Sequence, residues 1–327
     1  MERQFSVNEA AASLIGHTVI PQAEQLQIGI NRLRSGATVL DFGVHRKGGF
    51  RAGKYFAEIG MGGLGELTYG SMKLQNRLTP SVRITVKAPA ICEMSSHVAY
   101  WKLNWHGRTV VISGPVRAIR GADKFARAIP YRDSGARQAV ACIQTEELPD
   151  EELCALISEG VGIPPENLYV LAARTGCMAG AVQVCARNVE QSLPTVLDRG
   201  FPMEHIVEAT ATTPLVSVVD DEAIAYGRVN DCLIYGQESN LYVRCADEEI
   251  ARMLDDIPFS KNGGVYGVPF FELFGRCGNS WANVPREWDA PCKINFINLT
   301  TGTVFSTGRV NATVLEQSFM GGQGVVL

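Results

Sequence analysis

The chain has 327 residues, of which 46% are hydrophobic and 20% charged, and its formal net charge is −4. That length suits one large or two medium domains with substantial cores, in an ordinary soluble globular composition. The negative balance argues against a dedicated nucleic-acid binder, and no run of ~20 apolar residues offers a membrane span.

The N-terminal stretch MERQFSVNEAAASL has charges at residues 2 and 3 but no apolar core of signal-peptide type. The nine cysteines are dispersed, with no C-x-x-C pair, and read as reduced thiols of a cytoplasmic protein. The five histidines show no H-x-x-x-H or H-x-H spacing, so the sequence proposes no metal site.

Along the chain, the first 35 residues read as helix, through IPQAEQLQIGINRL to a stop at Ser35-Gly36. ATVLDFGV reads as a strand and FRAGKYFAEIG as a helix. The run GMGGLGE, Gly60 to Glu66, then matches G-x-G-x-x-G, the dinucleotide fingerprint. That fingerprint requires glycines that leave a strand and open a helix, with an acid ~20 residues on. Here the order is reversed, helix before and strand (ELTYGSM) after, and VRITVKAPA supplies no acid. An NAD-dependent dehydrogenase is therefore the weakest reading. The run is better taken as a bend that passes close to another segment or a flat ligand.

SVRITVKA is a further strand, and APAICEMSSHVAYWKLNW holds a helix followed by aromatic-rich extended chain. The segment Arg117 to Arg137 carries six basic residues against two acidic and reads as a crossover between domains. QAVACIQT is a strand of the buried type. LPDEELCALISEGVGIPPENLYVLAA reads helix, loop, strand, with acids in the first helical turn. After the turn RTGCMAG comes a helix, AGAVQVCARNVEQSL, that should end or kink near Pro194. HIVEATATTPLVSVV and GRVNDCLIYG flank the pair Asp220-Asp221, and PCKINFINLTTGTVFSTGRVN reads as a hairpin across Thr301-Gly302. The alternation favours an α/β or α+β architecture.

Several groups could carry chemistry. Arg187 and Glu190, three apart on a helix, lie on one face. A carboxylate so placed can serve as a base toward water, although an ordinary intrahelical salt bridge has the same spacing. The basic segment, Arg117 and Arg120 first, could hold an anionic tail such as a phosphate, or be a solvated surface. Arg228, Asn230 and Asp231, read beside a turn, suit hydrogen bonding to a heterocycle, or a polar loop cap. Asp220 and Asp221 could bind Mg²⁺ but more commonly would cap a helix. Cys177 and Cys185 read as small core residues.

These blocks resemble a known family. LPDEELCALISEGVGIPPENLYVLAARTGCMAGAVQVCARNVE and TTPLVSVVDDEAIAYGRVNDCLIYG are closely similar to methenyltetrahydromethanopterin cyclohydrolases. GATVLDFGV, FRAGKYFAEIGMGGLGE and ISGPVRAI follow the same order, and the resemblance spans about residues 20 to 320. It implies two α+β domains with the active pocket in the cleft between them, which we place at 1–130, completed by 285–327, and 131–284.

The implied reaction is reversible hydrolysis of a methenyl bridge on a pterin substrate, giving formyl-tetrahydromethanopterin, in a homotrimer with no metal and no cofactor. The resemblance puts Arg187 and Glu190 at the reaction centre, and its specific Gly-Arg-x-Asn-Asp block contains Arg228, Asn230 and Asp231, for which the expected heterocycle is then the pterin. By the same resemblance Ser95, Ser96 and His97 would line the pocket, where the family pattern Ala-Ser-Gln-x-Ala-Gly-Trp is altered to Ser95-Ser-His-Val-Ala-Tyr-Trp101. His97 replaces an amide and Tyr100 a glycine. The composition lacks a hyperthermophile's Glu and Lys bias, which points to a bacterial, formaldehyde-oxidising member. A pterin carrier without turnover is the alternative.

Overall fold

The computed structural model describes residues 5–320 apart from 217, 281 and 282. Numbered along the chain, twelve described strands make two six-stranded mixed sheets, each in its own compact unit, so the architecture is α+β. One unit holds the chain up to Glu66 and Ala90–Gln183; the other holds Leu67–Pro89 and the chain from Val184 on.

The first sheet contains β1 (Gly29–Arg32), β2 (Thr38–Gly43), β5 (Trp101–Trp105), β6 (Arg108–Ser113), β7 (Ala139–Gln144) and β8 (Leu168–Ala173). Its order is β1-β2-β8-β7-β6-β5, with β2, β8 and β7 parallel to one another. Parallel strands covered on both faces read as continuous apolar runs, and the side chains divide accordingly. Leu40, Phe42, Val140, Cys142, Leu171 and Ala173 join one core with α1 (Val7–Leu14) and α3 (Phe50–Gly60). Val39, Ala141, Ile143, Val170 and Ala172 join the opposite core. There they meet Trp101, Trp105 and the helices α4 (Val116–Arg120) and α6 (Glu151–Val161).

The second sheet runs β12-β11-β10-β9-β4-β3. Its strands are β3 (Gly65–Leu74), β4 (Arg77–Lys87), β9 (Ile206–Pro214), β10 (Glu238–Val243), β11 (Lys293–Asn298) and β12 (Val304–Gly308). Here β10 and β11 alternate between buried and half-buried positions, the pattern of a sheet covered on one face. The helices of this unit include α8 (Asn188–Asp198), α9 (Glu222–Gly236), α10 (Asp247–Ala251), α11 (Phe270–Arg276) and α12 (Ala312–Met320). An aromatic core with Tyr235, Phe259, Phe270 and Trp288 packs α9 against α11 and α12.

The structure corrects four expectations. Strands β7 and β8 pair with β6 and β2, so the ladder runs straight across the boundary expected at residue 130. The C-terminal hairpin, present as expected with Gly302 at φ +78°, extends the second sheet rather than completing the first. The N-terminal helix comes in pieces, α1, a π-turn, a 3₁₀ turn and α2 (Ala23–Leu26). It stops at Gln27, whose φ is +55°, and the remaining apolar residues pair as β1 with β2. Helix α7 (Met178–Cys185) ends before Arg187, whereas Pro194 lies inside α8.

The glycine run follows α3 and precedes β3, the order that excludes a dinucleotide turn. Its glycines serve close approach instead. Gly62 (φ +65°) faces Val7 of α1. A Cβ on Gly60 would lie 3.3 Å from Cδ2 of His97.

Candidate active site

In the second unit, α8 presents Arg187 and Glu190. Val184 accepts the Arg187 N–H and Gln191 donates to the Arg187 carbonyl, so Arg187 caps α8. Glu190 sits in the first turn, where the helix dipole favours negative charge. Arg187 Nη1 donates to Glu190 Oε2 at 2.6 Å, with the two side chains 14% and 16% exposed. A pair that is neither sealed nor fully solvated can address a ligand while keeping its geometry.

The rest of α8 is anchored by buried polar side chains. Ser192 Oγ bridges to Ser239 on β10 at 3.0 Å and accepts from Gln237 Nε2 at 2.9 Å. Gln191 donates to the Trp288 carbonyl at 3.2 Å, and Thr195 to that of Asp289. Such a satisfied network fixes a helix against a sheet more specifically than apolar contact does.

In the first unit, Ala90–His97 forms a π-helix, a geometry associated with functional sites. Ser95, Ser96 and His97 are all buried on it. Ser96 Oγ donates to the Gly60 carbonyl at 2.7 Å, while Ser95 Oγ has no hydrogen-bond partner among the described residues. His97 Nδ1 lies 2.8 Å from Oε2 of Glu93, and both side chains are within 1% of full burial. Glu93 was missed by sequence reasoning; its signal is the i,i+4 spacing to His97.

Arg117 does not face solvent-borne anions as expected. It is fully buried, and its Nη2 and Nε bind both oxygens of Asp123 at 2.6 and 3.2 Å. The same guanidinium donates to the carbonyls of Met94 (3.2 Å) and Ser96 (3.3 Å). Arg117 therefore clamps the π-helix that carries His97. Asp123 also caps α5 (Lys124–Arg127) through the N–H groups of Phe125 and Ala126. The basic segment is thus folded inside the first unit and is no crossover; Arg132 likewise spends its Nη1 on carbonyls of Ala126 and Ile129. Arg120 is exposed, its guanidinium carbon 4.9 Å from the Trp101 ring centroid. Tyr100 is 42% exposed and packs edge-on against Phe125.

Arg228, Asn230 and Asp231 lie mid-helix on α9 rather than beside a turn. Asn230 donates to the Tyr226 carbonyl at 2.8 Å. Asp231 is fully buried, accepting from Phe270 N–H at 2.8 Å and Ser318 Oγ at 2.5 Å. Both carboxylate oxygens of Asp231 are thus committed within the fold, whereas Arg228 donates through Nη2 to the Phe319 carbonyl at 3.0 Å. Asp221 caps α9 by accepting from Ile224 N–H. None of the nine cysteines is in a disulfide, and Cys177 and Cys185 are buried.

A family model described as Cyclohydrolase (MCH) matches residues 6–319. The chain belongs to this cyclohydrolase family. Relatives named methenyltetrahydromethanopterin cyclohydrolase occur in bacteria and methanogens. The one from Methylobacillus flagellatus is 31% identical over 314 residues, covering 96% of this chain and 95% of its own. That from Methanospirillum hungatei is 31% identical over 315 residues, covering 96% and 99%. That from Methanocaldococcus jannaschii is 30% identical over 319 residues, covering 96% and 98%. The cyclohydrolase match takes in both the α8 pair and the π-helix.

Proposed function

We propose that the protein is a methenyltetrahydromethanopterin cyclohydrolase of one-carbon metabolism, converting the methenyl compound reversibly to formyl-tetrahydromethanopterin. The observation that carries this reading is the family match over residues 6–319, which contains the Arg187–Glu190 pair held at 2.6 Å. The bridge carbon lies between two nitrogens and shares their positive charge, so water can attack it without a Lewis acid. Glu190 takes one proton from that water as general base. One C–N bond of the adduct then breaks, the second proton ends on the released nitrogen, and the carbon remains as formyl. The substrate cation is cancelled and one proton reaches solvent.

Negative charge on Glu190 also favours the bound cation, and Arg187 orients the carboxylate through a charge-assisted hydrogen bond. Ser95, with its unspent hydroxyl, and His97 are the first-unit residues we assign to substrate contact. In this reading no metal or redox cofactor takes part. The enzyme works in the cytoplasm as a homotrimer, without nucleic-acid or membrane partners, in bacterial formaldehyde oxidation. The paired base argues against a carrier without turnover, since binding alone needs no proton acceptor.

The test is loss of the methenyl chromophore on mixing the protein with methenyl-tetrahydromethanopterin, with methenyl-tetrahydrofolate in parallel. Fast decay is expected with the methanopterin compound. Glu190→Gln should lower turnover by at least ~100-fold with an unchanged circular dichroism spectrum. Wild-type rates in that variant would remove Glu190 from the role of base, and no acceleration over buffer by folded protein would overturn the reading.

A further inference from the structure

A cavity of about 280 Å³ opens in the second unit between α9, α11 and α12, lined by Ile224, Arg228, Pro269, Phe271, Gln317 and Ser318. Arg228 is 8% exposed yet forms no ion pair among the described residues. Its Nη2 donates to the Phe319 carbonyl at 3.0 Å, and its buried Nε has no hydrogen-bond partner among the described residues. A guanidinium does not lose its proton at ordinary pH. Burial therefore leaves a positive charge and a directed donor uncompensated, an arrangement that is costly unless an anion arrives.

The neighbouring acids do not supply that anion. Asp231 is one helical turn from Arg228, but both its oxygens are occupied by Phe270 and Ser318. Burial pushes its carboxyl up to about 7, so much of it is uncharged near neutrality. Glu272, also on the cavity wall, is tied to Arg276 at 2.5 Å on the exposed side of α11. Ile224, Pro269 and Phe271 give the cavity an apolar wall beside the uncharged amide of Gln317, and Phe271 is 56% exposed. The volume falls just below the ~300–1,000 Å³ of pockets for drug-sized ligands, so one substituted ring fits and an intact dinucleotide does not.

We propose that this pocket binds a small oxyanion, carboxylate or phosphate, carried on an apolar body, with Arg228 as the anion's partner and Phe271 as the wall for the body. A planar guanidinium edge suits either oxyanion. The proposal does not rest on the cyclohydrolase reading, because its readout is binding.

Isothermal titration of the full chain with benzoate, phenyl phosphate and neutral benzamide tests it. Saturable one-to-one binding of benzoate or phenyl phosphate is expected, with benzamide at least ~10-fold weaker. The tighter of the two acids identifies the oxyanion. Arg228→Gln should weaken that binding by at least ~10-fold. Should this variant fail to fold, Phe271→Ser, at an exposed ring, decides. It should weaken phenyl phosphate while leaving inorganic phosphate unchanged. Equal binding of benzamide and benzoate, no saturable heat with folded wild type, or unchanged phenyl phosphate affinity in Phe271→Ser would each overturn the proposal.

Discussion

Asp231 illustrates how one residue's chemistry depends on what closes over it. Burial raises its carboxyl from 3.8 to about 7, against the lowering effect of its hydrogen bonds from Ser318 and Phe270. Between those values the folded chain holds a proton that the unfolded chain has released. The sign follows: stability falls as pH rises through this window and levels off above about 7. In Asp231→Asn the amide can still accept from Phe270 and meet Ser318, but it does not titrate. Denaturant unfolding at pH 4 and pH 8 should therefore show the variant gaining roughly 2–4 kcal/mol on wild type across the range. Parallel pH profiles would refute the assignment. None of this was readable from the Arg-Val-Asn-Asp string, because Phe270 and Ser318 come from distant segments.

Among the elements, the π-helix at Ala90–His97 depends on a buried ion pair two elements away. Arg117 ties Asp123 to the carbonyls of Met94 and Ser96, and Asp123 is only 8% exposed. Removing one member of a buried pair strands the other charge, at a cost of about 3–5 kcal/mol. Arg117→Met should destabilise by about that amount in urea, and adding Asp123→Asn should recover much of it while keeping the α5 cap. Wild-type stability in Arg117→Met would return Arg117 to the surface role its charge count suggested. The helix and strand runs themselves were largely legible. QAVACIQT, FRAGKYFAEIG and the acidic first turn of α6 each appear as read, since local periodicity reports which face is buried. IGINRL misled because pairing of β1 with β2 overrides a helical-looking pattern.

For the molecule as a whole, two six-stranded sheets are built from interleaved chain, with Leu67–Pro89 inserted into the second unit from within the first. Light scattering should give three times the 35.5 kDa chain mass, and the unfolding midpoint should rise with protein concentration, as association-linked stability requires. A monomer mass at all concentrations would remove the trimer from the proposal. By itself the sequence determined the family, the Arg187–Glu190 spacing and most element types, because motif order and burial periodicity are local properties of the chain. Only the tertiary structure decided which strands pair across the expected boundary. It also decided that Arg117 is a clamp rather than an anion site and that Arg228, its Nε buried without a partner among the described residues, lines a cavity. Strand partners and the solvation of a charge are set by segments far away in sequence, and no local pattern encodes them.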